Sequence, residues 1–227
     1  MEFVRWLDWK DLRLNPIPLA AERLYLGDEC CAGRLPDPAE AARLLRKVSV
    51  EQLSVTLVTP FVSEQEGKHV LRLVDQMSRM CKDFEVVCND WGIFQEVSQR
   101  ENCMPIIGRL LVKQDTDPRL GQIGNAAYQS SMERTILHAD GNLVHLKYAS
   151  PHPDTLQHMK SCALDNIALL NYLGTVYRVN RFEVNNTLQG LVIDPPDNWH
   201  ISLHIPEVLV SVSRYCAARK GNYFTDL

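Results

Sequence analysis

Short apolar runs alternate with amphipathic segments along most of this chain. Four runs with the character of strands are "RLYLGDE" from Arg23, "QLSVTLVTPFV" from Gln52, "FEVVCND" from Phe84 and "MPIIGRLLV" from Met104. The segments between them place apolar residues three and four positions apart, which is the spacing of one helix face. After residue 160 the rhythm returns with a helix in "CALDNIALLNYLGT" and strands in "VYRVNRFEVN", "WHISLHI" and "EVLVSVSRYC". This alternation predicts a parallel sheet with crossover helices.

Two of the predicted helices carry explicit start signals. Asp37 precedes Pro38, and proline is favoured at the first position of a helix. Ser63 is followed three residues later by Glu66, which is the spacing of a capping box. The sequence therefore predicts helices that begin just after Asp37 and Ser63.

The loop after the first predicted strand decides between two kinds of parallel sheet. Its sequence, "YLGDECCAGR", is neither a dinucleotide-binding glycine motif nor a phosphate-binding loop, which disfavours a doubly wound nucleotide-binding fold. The apolar runs also lack a clean polar face, as strands covered on both sides do. We therefore predict an α/β fold of the TIM-like (β/α) barrel type, complete or lacking its C-terminal part. It would form one domain over residues 1–227, with an N-terminal arm (1–22) and an insertion (113–160).

Composition and charge narrow the class of protein. Hydrophobic residues make up 45% of the chain and charged residues 23%, which is typical of a globular protein, and the net charge is -4. This acidic balance without a basic run disfavours nucleic acid as a partner, although it leaves RNA open. The charged N-terminus has no apolar signal segment, and no apolar run has the length of a membrane span, so the sequence predicts a cytoplasmic protein.

Cysteines are the most conspicuous chemical feature of the chain. There are seven, an odd number, and no two of them form a CxxC pair. This pattern argues against a disulfide framework and against zinc-finger or thioredoxin motifs. Most of the seven are expected to be buried small residues. Cys30 and Cys31 are adjacent, and disulfide geometry disfavours a bond between neighbours.

Candidate catalytic residues follow from the barrel, because its chemistry takes place at the carboxyl ends of the strands. Ionisable side chains at these ends would line a pocket for a small-molecule substrate. They are Glu29, Asp90, Arg109, Glu183 and Arg214, and the thiols of Cys31 and Cys216 fall at the same end.

Several of these residues have a second interpretation that the sequence leaves open. Asp90 could simply cap the helix that follows it. Arg109 falls on the predicted fourth strand, where an arginine needs a partner, and Glu29, Asp90 or Glu183 could provide one.

His200 and His204 would share one face of a strand. A metal site built on this pair would need more ligands than the sequence makes visible. Cys88, which ends the third strand, is interpreted as a core thiol.

Six short motifs occur in order along the chain and together resemble a known family. They are "YLGDECCAGR", "VTPFVSEQEG", "CNDWG", "IIGRLL", "RFEVNNTLQGL" and "SVSRYCAAR", and they cover most of residues 23–219 apart from the insertion. This set resembles the collagenase-like peptidase family U-32. Within that family it is most similar to the branch of anaerobic ubiquinone-biosynthesis proteins.

The resemblance implies an iron–sulfur protein. Members of that branch bind a [4Fe-4S] cluster through four cysteines and act in oxygen-independent hydroxylation, and the motifs align two of the ligands with Cys31 and Cys216. The remaining two ligands are not identifiable, because no cysteine follows Cys216. A longer protein, a homologous partner subunit in a heterodimer, or loss of the cluster would each account for this.

Three functions therefore remain as expectations. The first is an iron–sulfur component of an oxygen-independent hydroxylation or biosynthetic system. The second is a non-catalytic barrel subunit of a hetero-complex. The third is a peptidase with Cys31 as nucleophile and a histidine such as His204 as base, although nothing in the sequence defines their geometry.

Overall fold

A parallel sheet forms the centre of the molecule. The computed structural model describes residues 4–7, 9, 23–46, 54–114, 132–148, 153–187 and 190–212. Seven strands of this part of the chain pair in parallel, each with its neighbours in the spatial order β1-β2-β3-β4-β5-β8-β9. Their bounds are β1 Val4–Leu7, β2 Arg23–Gly27, β3 Ser54–Thr59, β4 Glu85–Cys88, β5 Met104–Ile107, β8 Arg181–Asn185 and β9 His200–His204.

Helices follow most of these strands, as the alternating pattern predicts. They are α1 Pro38–Leu45, α2 Glu64–Ser78, α3 Trp91–Ser98, α4 Arg109–Val112, α5 Pro153–His158 and α6 Ile167–Tyr177, and a short 3-10 helix covers Ala32–Arg34. Both start signals are confirmed. Asp37 accepts a hydrogen bond from the amide of Glu40 at 2.9 Å, with Pro38 as the first helical residue. Ser63 and Glu66 form the reciprocal capping box of α2.

The capping box gives a first testable prediction. The Ser63 hydroxyl accepts from the Glu66 amide, and the Glu66 carboxylate accepts from the Ser63 amide at 2.9 Å. Replacing Ser63 with alanine leaves one of these amides without its partner, so we expect a loss of about 1 kcal/mol in the free energy of unfolding. Urea denaturation would measure it. Glu64→Gln is the control, since it removes only the exposed pair with Lys68 and is expected to cost at most about 0.5 kcal/mol.

The two faces of the sheet bury different side chains. Alternate residues of the strands, among them Leu26, Leu57 and Phe182, belong to a large apolar core that also contains the buried faces of the helices. The intervening residues point to the opposite face. There Tyr25, Val58, Val87 and Ile106 form a separate apolar cluster. Both faces are thus covered, which explains why the strands read as continuous apolar runs.

The sheet is curled into a half-barrel. In a flat sheet, six inter-strand spacings of about 4.8 Å would place β1 roughly 29 Å from β9. The ring centroids of Trp6 on β1 and His204 on β9 are 5.6 Å apart instead. Arg181 on β8 likewise reaches the phenol oxygen of Tyr25 on β2, at 3.3 Å. The concave face of this half-barrel therefore brings side chains from distant strands together.

Three predicted strands differ from the structure. In "VYRVNRFEVN", Val176 and Tyr177 end helix α6, and β8 begins only at Arg181. The run "MPIIGRLLV" is not one strand, because β5 ends at Ile107 and Gly108 begins the helical turn α4. The segment "EVLVSVSRYC" is not a strand in its described part, residues 207–212, and residues 213–216 lie outside the described chain. Leu111 and Val112 are buried, whereas Val208 and Val210 are 39% and 63% exposed, so an apolar run does not by itself require pairing in the sheet.

The N-terminal arm and the insertion both contain regular structure. The arm contributes β1, which pairs in parallel with β2. The insertion contains a two-stranded antiparallel hairpin of β6 (Met132–Leu137) and β7 (Leu143–Tyr148), followed by α5. No helix in the described ranges combines the length and the apolar composition that crossing a lipid bilayer requires.

Candidate functional site

A buried ion pair lies at the carboxyl end of the half-barrel. Glu29 follows β2, in a loop that Asp28 shapes by accepting the amides of Cys30 and Cys31 at 2.7 and 2.8 Å. Arg109 begins α4 directly after β5 and donates to both carboxylate oxygens of Glu29, with the Nε to Oε1 bond at 3.0 Å. Both side chains are almost fully buried. The prediction that Arg109 requires an acidic partner is thereby confirmed, with Glu29 in that role.

Asn185, at the end of β8, links this ion pair to the segment 207–209, which follows β9 at the carboxyl end (the mouth) of the half-barrel. Its Oδ1 accepts from Arg109 Nη1 at 2.9 Å and from the amide of Leu209 at 2.8 Å, and its Nδ2 donates to the Leu209 carbonyl at 3.0 Å. Arg109 Nη1 also donates to the Glu207 carbonyl at 3.1 Å. The guanidinium of Arg109 is thus held in one orientation from three sides.

Glu183 and His204 form a second pair on neighbouring strands. β8 and β9 pair with Glu183 opposite Ser202 and Asn185 opposite His204. The inward side chains of Glu183 and His204 meet with Oε2 and Nε2 3.0 Å apart. Glu183 is fully buried, and its second oxygen, Oε1, has no hydrogen-bond partner in the described structure.

These two pairs form a single group of ionisable side chains. One ligand atom from each of Glu29, Glu183 and His204 lies within 4.8 Å of the others, and this is the one group of three or more His, Cys, Asp or Glu side chains with metal-site spacing in the described residues. Carboxylates and an imidazole at this distance can exchange a proton or share a cation. We call Glu29, Arg109, Glu183 and His204 the mouth cluster.

A second layer of charges lies deeper in the half-barrel. Glu85 on β4 accepts from Thr56 at 2.7 Å and forms ion pairs with Arg23, at 2.7 Å, and with Arg181.

Tyr25 lies beside these charges. Burial is the main cause that raises the pKa of Tyr25 above its usual range, and the charge of Glu183 raises it further against the opposing effect of Arg181. Tyr25 is therefore a neutral phenol that can donate a proton to a hydrogen bond.

Asp90 has a structural role. Its Oδ1 accepts the amides of Gly92 and Ile93 at 2.8 and 3.3 Å, which caps α3, and it is not part of the mouth cluster. The neighbouring Asn89 is buried between the ends of β3 and β5, where it donates to the Thr59 carbonyl at 3.0 Å and accepts from the Leu110 amide at 3.1 Å. The capping interpretation of Asp90 accounts for its contacts.

The cysteines can be compared with the cluster that the resemblance implies. Cys31 lies in the loop after β2, two residues beyond Glu29, where it could offer one thiolate at the mouth. No three thiols of the described residues converge there. Cys216 and Arg214 lie outside the described chain. The described residues alone therefore do not provide a four-thiolate site.

Thiol environments predict a reactivity order for the reduced, metal-free protein. Burial raises the pKa of Cys81 to about 11, and it raises the pKa of the buried thiols Cys88 and Cys103 as well. At pH 8 only about a thousandth of Cys81 would be thiolate. Desolvation and the charges of Asp28 and Glu29 raise the pKa of Cys30 too, so its exposure is what distinguishes it from the buried thiols. We expect iodoacetamide to modify the exposed Cys30 well before these three, as a peptide mass-spectrometry time course would show. Equal rates at Cys30 and Cys88 in the folded protein would contradict this order.

The sequence interpretation missed part of the site. The sequence analysis assigns no role to Asn185 or to the deeper charges of Glu85 and Arg181. The strand "RFEVN" does carry a signal, since polar Arg181, Glu183 and Asn185 alternate with apolar Phe182 and Val184. The sequence pairs His204 with His200 as a metal site and with Cys31 as a peptidase base, but not with Glu183, and His200 is exposed and outside the mouth cluster.

Comparisons with known proteins give no family for this chain. It matches no protein-family model, no curated protein and no solved structure.

Proposed function

We propose that this chain is a TIM-like β/α-barrel protein that binds a small molecule at the carboxyl end of its strands and carries its reactive groups in the mouth cluster. The observation that carries the proposal is the convergence of four ionisable side chains from two strands, β8 and β9, and from the segments that follow β2 and β5. Chemistry at this end of the strands is the common arrangement in such barrels. Glu183 and His204 would be the reactive groups, and Arg109 would position Glu29.

The burial of these charges supports a catalytic role over a structural one. Removing a carboxylate from water costs several kcal/mol, and a salt bridge repays this only when its geometry and remaining hydrogen bonds are good. Arg109 and Glu29 meet that condition, but Glu183 keeps one oxygen without a partner. Apolar side chains would fill the same space at lower cost. Buried, incompletely paired ionisable groups in a concave site are typical of catalytic centres.

The class of reaction comes from the family resemblance. The resemblance to U-32 proteins of anaerobic ubiquinone biosynthesis favours an oxygen-independent hydroxylation or biosynthetic system that uses a [4Fe-4S] cluster. Cys31 would be one ligand, Cys216 a second, and a homologous partner subunit could contribute the others. The position of Cys31 two residues after Glu29, in the loop that follows β2, supports this proposal, because it puts one ligand on the loop that carries Glu29.

Anaerobic purification followed by iron and sulfide analysis tests this function. The expected result is about four irons and four sulfides per cluster, with most of both lost in Cys31→Ser. Cys30→Ser is the matched control, because Cys30 is the adjacent exposed thiol and should leave the metal content unchanged. A wild-type protein without acid-labile sulfide, or equal losses in the two variants, would contradict the iron–sulfur proposal.

A non-catalytic subunit of a hetero-complex is the second candidate. The observation that favours it is the apolar outer side of β9, where Ile201, Leu203 and Ile205 are 38%, 48% and 69% exposed. Exposed apolar surface of this kind is typical of protein contacts. Co-purification of a homologous chain, together with absence of iron and sulfide, would favour this candidate over the first.

A further inference from the structure

We propose that Glu29, Glu183 and His204 form a binding site for one divalent transition-metal ion, such as Zn²⁺ or Fe²⁺, that is separate from any cysteine-bound cluster. The inference deepens the proposed function, since it names a cofactor for the same mouth. It rests on the proposed function only because both place a cofactor at the same mouth. The ion itself needs no cysteine, since its ligands are two carboxylates and an imidazole of the described residues.

The distances suit a single ion after a small adjustment. Bonds from zinc to carboxylate oxygen or imidazole nitrogen are about 2.0–2.2 Å, so two ligand atoms on one ion lie at most about 4.4 Å apart. The three ligand atoms here lie within 4.8 Å of one another, and Glu183 Oε2 and His204 Nε2 are 3.0 Å apart. A movement of less than an ångström by the Glu29 side chain would bring all three within bonding range.

Strand pairing fixes the positions of two of the ligands, and a salt bridge orients the third. Glu183 and His204 belong to paired neighbouring strands, which hold their separation. Glu29 is oriented by Arg109, which Asn185 orients in turn. Each carboxylate oxygen has a second lone pair, so Glu29 can keep Arg109 and still bind a cation. Partners of this kind commonly orient metal ligands from behind.

An independent observation points to a ligand at this position. Glu183 is fully buried, yet its Oε1 accepts no hydrogen bond in the described structure. The nearby Arg181 directs its Nη2 to Glu85 and Tyr25, and its own buried Nε also has no hydrogen-bond partner in the described residues. The charges of Glu183 and Arg181 and the phenol of Tyr25 act on one another, yet none of these groups has hydrogen-bond geometry at Glu183 Oε1. Leaving a buried carboxylate oxygen unpaired is costly. A cation bound by both oxygens of Glu183 would compensate that cost, and the mixed carboxylate and imidazole set suits first-row divalent metals.

Cobalt binding to the full chain tests the site. Co²⁺ replaces Zn²⁺ in such sites, and its visible spectrum separates oxygen and nitrogen ligation from thiolate ligation. The thiolate form gives intense charge-transfer absorption. Metal-free protein is titrated with Co²⁺ under anaerobic conditions, and bound metal is measured by equilibrium dialysis. We expect one ion per chain, with weak d–d bands and no thiolate charge-transfer absorption.

Variants then locate the ion. Glu183→Gln and His204→Gln keep the size or polarity of the side chain, and each is expected to weaken Co²⁺ binding by about 100-fold or more. His200→Gln is the matched control, because His200 is an exposed histidine at the other end of the same strand and should bind as the wild type does. Circular dichroism would show that each variant is folded.

Each outcome has a defined meaning. Loss of binding in both folded variants, with binding retained in His200→Gln and in Cys31→Ser, supports the site. No Co²⁺ binding by the folded wild type, unchanged binding in Glu183→Gln, or thiolate absorption that disappears in Cys31→Ser overturns it. The iron–sulfur proposal fails separately, through absence of acid-labile sulfide, so the two failures can be distinguished.

Discussion

Replacing Arg109 with methionine is expected to lower the free energy of unfolding by roughly 3–5 kcal/mol. The substitution keeps most of the apolar volume but removes the guanidinium that pairs with Glu29. It leaves a carboxylate that is 5% exposed without a counter-charge. It also removes the donor to Asn185 and to the Glu207 carbonyl. Chemical denaturation of the purified protein at neutral pH would measure the loss.

A double substitution separates the unpaired charge from lost packing. In Glu29→Gln with Arg109→Met neither charge of this pair remains, so the double variant is expected to recover part of the stability that Arg109→Met alone loses. Arg43→Met is the control, because its side chain is 59% exposed and lies 3.8 Å from Glu40. That exposed pair should contribute at most about 1 kcal/mol. If Arg109→Met costs no more than Arg43→Met, the mouth salt bridge does not stabilise the fold.

Gly27→Ala is expected to be the second severe substitution, with a loss of roughly 3–5 kcal/mol. Gly27 ends β2 with φ of +142°, a conformation that residues with a side chain rarely adopt. A β-carbon there would lie 2.0 Å from the carbonyl oxygen of Val58, which belongs to the backbone of the neighbouring strand. The overlap can be relieved only by moving β2 from β3, directly below the loop that carries Glu29. Thermal and urea denaturation would both detect the change.

Gly141→Ala provides the matched control for this prediction. Gly141 also has a positive φ, +85°, but a β-carbon there would meet nothing within 4 Å. Its cost is therefore conformational alone, about 1 kcal/mol. The difference between the two variants in the free energy of unfolding measures the cost of placing a β-carbon where β2 closely approaches β3. Similar losses in Gly27→Ala and Gly141→Ala would show that this approach is not a constraint.

Local signals in the sequence account for most of the elements. Ser63 with Glu66, and Asp37 with Glu40, each mark a helix start through hydrogen bonds between residues three apart, and Pro38 adds a second signal after Asp37. Such contacts depend on neighbours in the chain, so they can be recognised without knowing the fold. The run after Met104 was misjudged because Gly108 ends a strand and begins a helix within one apolar stretch. The spacing of apolar residues cannot distinguish a strand from a helix over so few residues.

The candidate site was predicted in its general position and only partly in its members. Of the residues predicted there, Arg109 pairs with Glu29, and Glu29 lies close to Glu183, while a functional role for them stays a prediction. Asp90 follows a strand in the same way, yet its carboxylate caps α3. The sequence offers the same pattern for both roles. Whether a polar residue after a strand turns inward or caps the next helix depends on the contacts that surround it.

The amino-acid sequence alone indicates most of the strands and helices in their order along the chain, and the caps that begin α1 and α2. These features arise from interactions between residues a few positions apart. Only the tertiary structure decided which charges meet, because Glu29 and Arg109 are 80 positions apart and Glu183 and His204 are 21 apart. Their meeting depends on how strongly the seven strands curl, and that curvature results from the packing of the whole sheet.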